Sequence, residues 1–205
     1  MNKIYYRHGT MFSGKSLSLI STYHTYKHNN KNVLVLKPSK DTRDKGIIKS
    51  RMSNETVKCI TFGPYQNIKD IVKEYISKIG MLPNLILIDE IQFCSKSQIE
   101  ELHHISGYCS VMCYGLKTSY TGELFPAIAT LIPIAEDISE IKTTCSMCSK
   151  KATHNLLIRN GEAIYTGAFV NVEGSNKNDE YYAVCREHFY KPNYNLLEIK
   201  HDKNN

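Results

Sequence analysis

The sequence predicts an α/β fold in which a parallel sheet is flanked by helices and a small second lobe follows. Three observations carry this expectation. Apolar strand-like runs alternate with helical periodicity as far as residue 144. A glycine-rich stretch, "GTMFSGKS" at 9–16, stands between the first strand and the first helix. From Cys145 on, the pattern changes to short strands, turn residues and two close pairs of metal-type ligands.

The elements follow in order. A first strand is expected at "KIYYRH" (3–8) and a helix from about Gly14 through "SLSLISTYHTYKH" (16–28). A strand "NVLVLK" (32–37) leads into a polar loop rich in Lys, Arg, Asp and Ser. The helical pattern "NIKDIVKEYISKI" (67–79) then precedes "NLILID" (84–89), whose continuous apolar run reads as a buried parallel strand. A helix around "SQIEELHHIS" (97–106), a strand "CSVMCYG" (109–115), the loop "LKTSYTGELF" (116–125), a short helical "PAIATLI" (126–132) and a strand near "ISEIKTT" (138–144) complete the alternation. The division expected is a nucleotide-binding domain over 1–144, a metal-binding lobe over 145–191 and a loose tail over 192–205.

Composition sets outer limits. With 205 residues, 41% hydrophobic and 22% charged, the chain can bury a sizeable core. No apolar run is long enough to span a membrane, and the first residues do not read as a secretory signal, so a cytoplasmic protein with no membrane partner is expected. The net charge of +6 is scattered rather than gathered on one stripe, so no nucleic-acid partner is expected from it. Seven cysteines without an export signal point to metal ligands and buried thiols rather than to disulfides.

Two motifs carry chemistry. In "GTMFSGKS", Gly9 and Gly14 let the backbone approach phosphates, the N–H groups at the helix start bind their oxygens, Lys15 supplies a cation and the Ser16 hydroxyl can ligate magnesium. This is the P-loop pattern, and Met11, Phe12 and Ser13 belong to the same cradle. In "LILIDEIQF" (85–93), a buried strand delivers Asp89 and Glu90 to the carboxyl edge of the sheet. Asp89 suits magnesium, and Gln92 joins the expected nucleotide contacts. Glu90 can share the site only if the chain is already turning, because consecutive strand residues point to opposite faces. It would then serve as a base for an attacking hydroxyl.

Cys145 and Cys148, then Cys185 and His188 with 36 residues between the pairs, can converge on one tetrahedral zinc and leave no open position, which makes the site structural and the lobe zinc-ribbon-like. A redox dithiol at Cys145 and Cys148 is the rival reading. His154 is a spare ligand better suited to a strand position, and Cys59, Cys94, Cys109 and Cys113 read as buried small side chains.

Together, "GTMFSGKS", "DTR" (41–43), "IDEIQF" (88–93), "YGLKTSYTGELF" (114–125), "CSMC" and "YYAVCREH" (181–188) resemble the type II thymidine kinases over nearly the whole chain. The resemblance implies transfer of the γ-phosphoryl of ATP to the 5′-hydroxyl of thymidine or deoxyuridine, with magnesium and a structural zinc, usually in a homotetramer. It makes Glu90 the general base. Met11, Phe93, Leu116, Tyr120 and Phe125 match positions lining the nucleoside pocket. Thr166 resembles the residue that bonds the thymine edge, Tyr181 the tyrosine of a lid, and Val172 and Gly174 backbone contacts to the base. Thymidine triphosphate is then expected as a feedback inhibitor that reaches from the nucleoside pocket to Gly14, Lys15 and Ser16. Two other readings stay open: a P-loop ATPase acting on nucleic acid, where the glutamate would position water, and a nucleic-acid-binding zinc ribbon with a vestigial phosphate loop.

Overall fold

The computed structural model describes residues 2–40, 46–167 and 178–193. "DTR" at 41–43, Val172, Gly174 and the tail from 194 lie outside these residues. The chain forms two compact units. The first comprises Met1–His8, Gly14–Leu116 and Phe125–Glu140, and the second comprises Gly9–Ser13, Lys117–Leu124 and the chain from Ile141 on. The second unit therefore takes in three short stretches, 9–13, 117–124 and 141–144, that a linear reading gives to the first domain.

The first unit is built on six parallel strands in the order β5-β2-β6-β7-β1-β8. These are β1 (Ile4–His8), β2 (Val33–Pro38), β5 (Ile60–Phe62), β6 (Leu85–Ile88), β7 (Ser110–Gly115) and β8 (Asp137–Glu140). All four residues of β6 are fully buried, as a strand covered on both faces requires. β1 is more polar because it lies beside the edge strand β8, where Arg7 pairs with Asp137 and donates to Ser139 Oγ at 2.8 Å. The helices are α1 (Lys15–His28), α2 (Ile68–Ile79), α3 (Lys96–Ile105) and α4 (Pro126–Leu131). α1 packs on β2 and β7, while α2, α3 and α4 pack in succession. Ser95 and Gln98 close a capping box that starts α3 directly after the β6 turn.

Two features lie within the stretch read as a polar loop. β3 (Ile47–Lys49) and β4 (Thr56–Lys58) form an antiparallel hairpin, and β5 adds a parallel edge to the main sheet beside β2.

In the second unit, β9 (His154–Arg159) is flanked by β10 (Glu162–Ile164) and β11 (Asp179–Val184) in an antiparallel sheet. Asn160 and Gly161 both have positive φ, 51° and 81°, the two-residue turn that suits the twist of a hairpin. The short helix α5 (Arg186–Tyr190) has Cys185 as its N-cap residue.

Candidate active site

Strands β6, β7 and β1 are neighbours in the sheet, and their registers set Ile88 beside Cys113 and His8 beside Gly115. The ends of three strands that carry motifs thus stand level at one carboxyl edge, the usual ligand edge of such sheets.

At the end of β6, Asp89 is 4% exposed. Its Oδ2 accepts the Ser16 hydroxyl at 3.0 Å, and its Oδ1 accepts the Glu90 backbone N–H at 3.1 Å. Burial first, then the neighbouring Glu90 carboxylate, push the Asp89 carboxyl up to about 7, against the Ser16 hydroxyl and the cations Lys15 and Lys37. A buried carboxylate in this state favours a proton or a metal ion as neutralising partner. The chain turns at Glu90, whose φ of 52° and ψ of 41° are left-handed. That is the condition under which two consecutive carboxylates can serve one edge.

The two glycines of the phosphate loop are required for different reasons. A Cβ at Gly9 would stand 2.4 Å from Ser13 Oγ and 2.5 Å from the Ile141 carbonyl oxygen, so no side chain fits. Gly14 has a φ of 84° where the loop enters α1, a conformation that favours glycine. The first turn of α1 holds no acidic residue and begins with Lys15, which is itself buried, leaving the positive end of the helix suited to an anion. Ser13 Oγ is buried and has no hydrogen-bond partner among the described residues.

The residues expected around a nucleoside fall into two groups. In the first unit, Phe93 and Phe125 meet edge to face at 6.3 Å, and Lys40 Nζ lies 6.0 Å from the Phe93 ring. The Leu116 carbonyl accepts the Tyr6 hydroxyl at 3.1 Å. In the second unit, Tyr120 is buried with its ring 6.5 Å from that of Tyr181. The Met11 N–H donates to Asn155 Oδ1 at 2.8 Å. Thr166 is exposed.

Asn155 was not among the expected residues. It is 3% exposed on β9, and its Nδ2 donates to the Thr118 carbonyl at 3.1 Å while its Oδ1 holds Met11. An asparagine inside the apolar run "HNLLIR" was a readable signal, because a buried amide must find partners. Lys37, 3% exposed at the end of β2, was missed as well. An open depression of about 400 Å³ over His154, Tyr165 and Phe189 includes none of the expected site residues.

Cys145, Cys148, Cys185 and His188 come together in the second unit, all four ligand atoms within 4.8 Å of one another. Zinc bonds of about 2.3 Å to sulfur and about 2.0–2.1 Å to nitrogen place tetrahedral neighbours about 3.8 Å apart for two sulfurs and about 3.5 Å apart for sulfur and nitrogen. The Cys148 and Cys185 sulfurs are 3.8 Å apart, and His188 Nδ1 stands 3.5 Å from Cys145 Sγ and 3.4 Å from Cys185 Sγ. The edges fit zinc, and the dithiol reading leaves the imidazole contact unexplained. Burial works against the Cys145 thiolate, but the N–H groups of Cys185 and Met147 and the His188 ring outweigh it and bring this thiol down to about 7. His154 instead heads β9 and stacks on Phe189 at 4.6 Å. Cys94, Cys109 and Cys113 are buried as expected, whereas Cys59 is only half-buried.

A family model described as thymidine kinase matches residues 2–189. The thymidine kinase of Streptococcus pyogenes serotype M3 (strain ATCC BAA-595 / MGAS315) is 37% identical over 197 residues, covering 94% of this chain and 99% of its own length. That of Streptococcus agalactiae serotype Ia is 36% identical over the same length and coverage. These comparisons lend no support to an ATPase acting on nucleic acid.

Proposed function

Because this chain belongs to the thymidine kinase family, we propose that it transfers the γ-phosphoryl group of ATP to the 5′-hydroxyl of thymidine and of deoxyuridine. The observation that carries this reading is the partly buried Ser16–Asp89 hydrogen bond at 3.0 Å beside the turned Glu90. It joins a phosphate-binding helix start to two carboxylates at one sheet edge.

Lys15, the N–H groups at the start of α1 and the unpartnered Ser13 hydroxyl bind the phosphates of ATP. Gly9, Met11, Phe12 and Gly14 shape the same loop. Ser16 and Asp89 form an oxygen pair that suits magnesium, which when bound would offset charge on the transferring phosphoryl oxygens. Glu90 takes the proton of the 5′-hydroxyl as its oxygen bonds to the γ-phosphorus, and ADP leaves with the electrons of the broken bond. Met11, Phe93, Leu116, Tyr120 and Phe125 are the residues assigned to contacts with the nucleoside, on their match to the family's positions. Thr166 bonds the thymine edge and Tyr181 is the tyrosine of the lid over the substrate; Val172 and Gly174, which lie outside the described residues, supply backbone contacts to the base. Zinc at Cys145, Cys148, Cys185 and His188 fixes the ribbon without reacting.

Thymidine triphosphate inhibits by occupying the nucleoside pocket and running its phosphates toward Gly14, Lys15 and Ser16. The protein works as a cytoplasmic homotetramer. Among the described residues no helix is long and apolar enough to cross a membrane.

A panel of nucleosides with ATP and magnesium, scored for 5′-monophosphate, tests the activity. Thymidine and deoxyuridine are expected to react and deoxyguanosine to be rejected. Glu90→Gln should keep nucleotide binding and lose about 10²-fold or more in rate. Rapid deoxyguanosine phosphorylation would remove the substrate assignment, and wild-type turnover by Glu90→Gln would remove the base.

A further inference from the structure

We infer that Gln92 is a positioning residue that holds the Glu90 carboxylate in its reactive orientation. The inference rests on the reading of Glu90 as the base. Gln92 sits in the single 3₁₀ turn Ile91–Phe93 that follows Glu90, and it is 4% exposed. Its Nε2 donates to Glu90 Oε2 at 2.5 Å, and its Oε1 accepts the Leu116 backbone N–H at 3.0 Å. An amide has one donating and one accepting end. The Leu116 N–H takes the accepting end, so the NH₂ must face the carboxylate.

The anchor on the far side is itself fixed. The Leu116 carbonyl accepts the hydroxyl of Tyr6, a side chain with no exposure at all. Residue 115 has to be glycine for the amide to fit, because a Cβ there would stand 2.3 Å from Gln92 Oε1 and 2.8 Å from Ile91 Cγ2. The end of β7 thus supplies a fixed post, Gln92 spans from it to Glu90, and the carboxylate is oriented before any nucleotide arrives. The left-handed backbone at Glu90 is a strained conformation for a glutamate, and this span secures its side chain. The partners of Gln92 are protein groups on both sides, which separates this role from the nucleotide contact expected from its place in "DEIQF".

The test is a double-mutant cycle in the full chain: Gln92→Met, Glu90→Ala and the double variant, with kcat and the KM values for ATP and thymidine measured for each. Gln92→Met keeps side-chain length without the amide. Loss of an oriented base should lower its kcat about 10-fold or more while both KM values stay within about 3-fold, since a base contributes about 10²–10⁴-fold in all. In the Glu90→Ala background the same change should have no further effect on kcat. Gln92→Glu, which keeps the acceptor for Leu116 but repels Glu90, should also lower kcat, and it decides the matter if Gln92→Met does not fold. A raised KM for ATP with unchanged kcat, or equal losses with and without Glu90, would overturn the inference and make Gln92 a nucleotide contact. Full activity of Glu90→Ala would be recognisably different, since it removes the base itself and this inference with it.

Discussion

Replacing Cys148 by serine should dismantle the ribbon rather than the chemistry, and the size of the effect can be worked from the site. The cluster is matched to a tetrahedral zinc on its sulfur–sulfur edge of 3.8 Å and on its two sulfur–nitrogen edges of 3.5 and 3.4 Å. Structural zinc binding is worth about 10–16 kcal/mol, so removing one ligand of four forfeits about 3–4 kcal/mol, or roughly 10²–10³-fold in zinc affinity. The surrounding core cannot absorb that loss. Its buried residues are Met147, Leu156, Ile158, Val184 and Phe189 together with two of the ligands, Cys145 and Cys185. A zinc bound here would form one cooperative structure with this core, and a core this small needs a staple. The assay is zinc stoichiometry by elemental analysis, with competition against a chromophoric chelator, alongside hydrogen exchange of the β9 amides Leu156, Leu157 and Ile158. Wild type should hold about one zinc per chain. Cys148→Ser should release it at chelator concentrations that wild type resists and lose β9 protection, while Cys59→Ser should do neither. A zinc-free protein with full protection of β9 and full activity would refute the reasoning.

Other outcomes are expected. Lys15→Ala should weaken ATP binding and turnover together, in contrast to Glu90→Gln, as isothermal titration beside steady-state kinetics would reveal. Gly9→Ala drives a methyl against the Ile141 carbonyl at 2.5 Å, so it should cost about 1–3 kcal/mol in chemical denaturation and raise the KM for ATP. Tyr181→Ala should relieve inhibition by thymidine triphosphate, and in the parent that inhibition should yield to excess of either thymidine or ATP. The Arg7 guanidinium, first by its hydrogen bond, holds the Asp137 carboxyl below its usual 3.8. A depressed carboxylate stabilises the fold above its unfolded pKa and stops doing so as pH falls through the folded one. Melting curves between about pH 2 and pH 5 should therefore be flatter in Asp137→Asn than in the parent.

Long, strongly patterned elements were legible in the sequence. β6 was clear because its apolar run is short, continuous and bounded by Asn84 and by Asp89 and Glu90, as suits a strand covered on both faces, and α2 because Ile68, Ile71 and Val72 repeat at helical spacing. The hairpin β3–β4 and the edge strand β5 were not, since three-residue strands around "RMSNET" are too short to show a period and their polar neighbours read as loop. The Cys145, Cys148, Cys185 and His188 cluster was legible because paired spacing leaves few other uses for such residues, and the four ligand atoms do come together. The role of Gln92 was not, because nothing in "DEIQF" distinguishes an amide facing a phosphate from one facing a carboxylate. That distinction lies in Leu116 and Gly115, more than twenty residues away.

The hydrogen bond from the Met11 N–H to Asn155 links residues 144 apart in the chain. On a ribosome, the phosphate loop emerges among the first residues, but its acceptor emerges only in the last quarter of synthesis. The first half of that loop therefore takes its final form late, after the sheet strands on which the rest of the loop stands have been made. A nascent or truncated chain that ends before residue 155 carries every letter of the phosphate-binding motif and lacks the partner that shapes it.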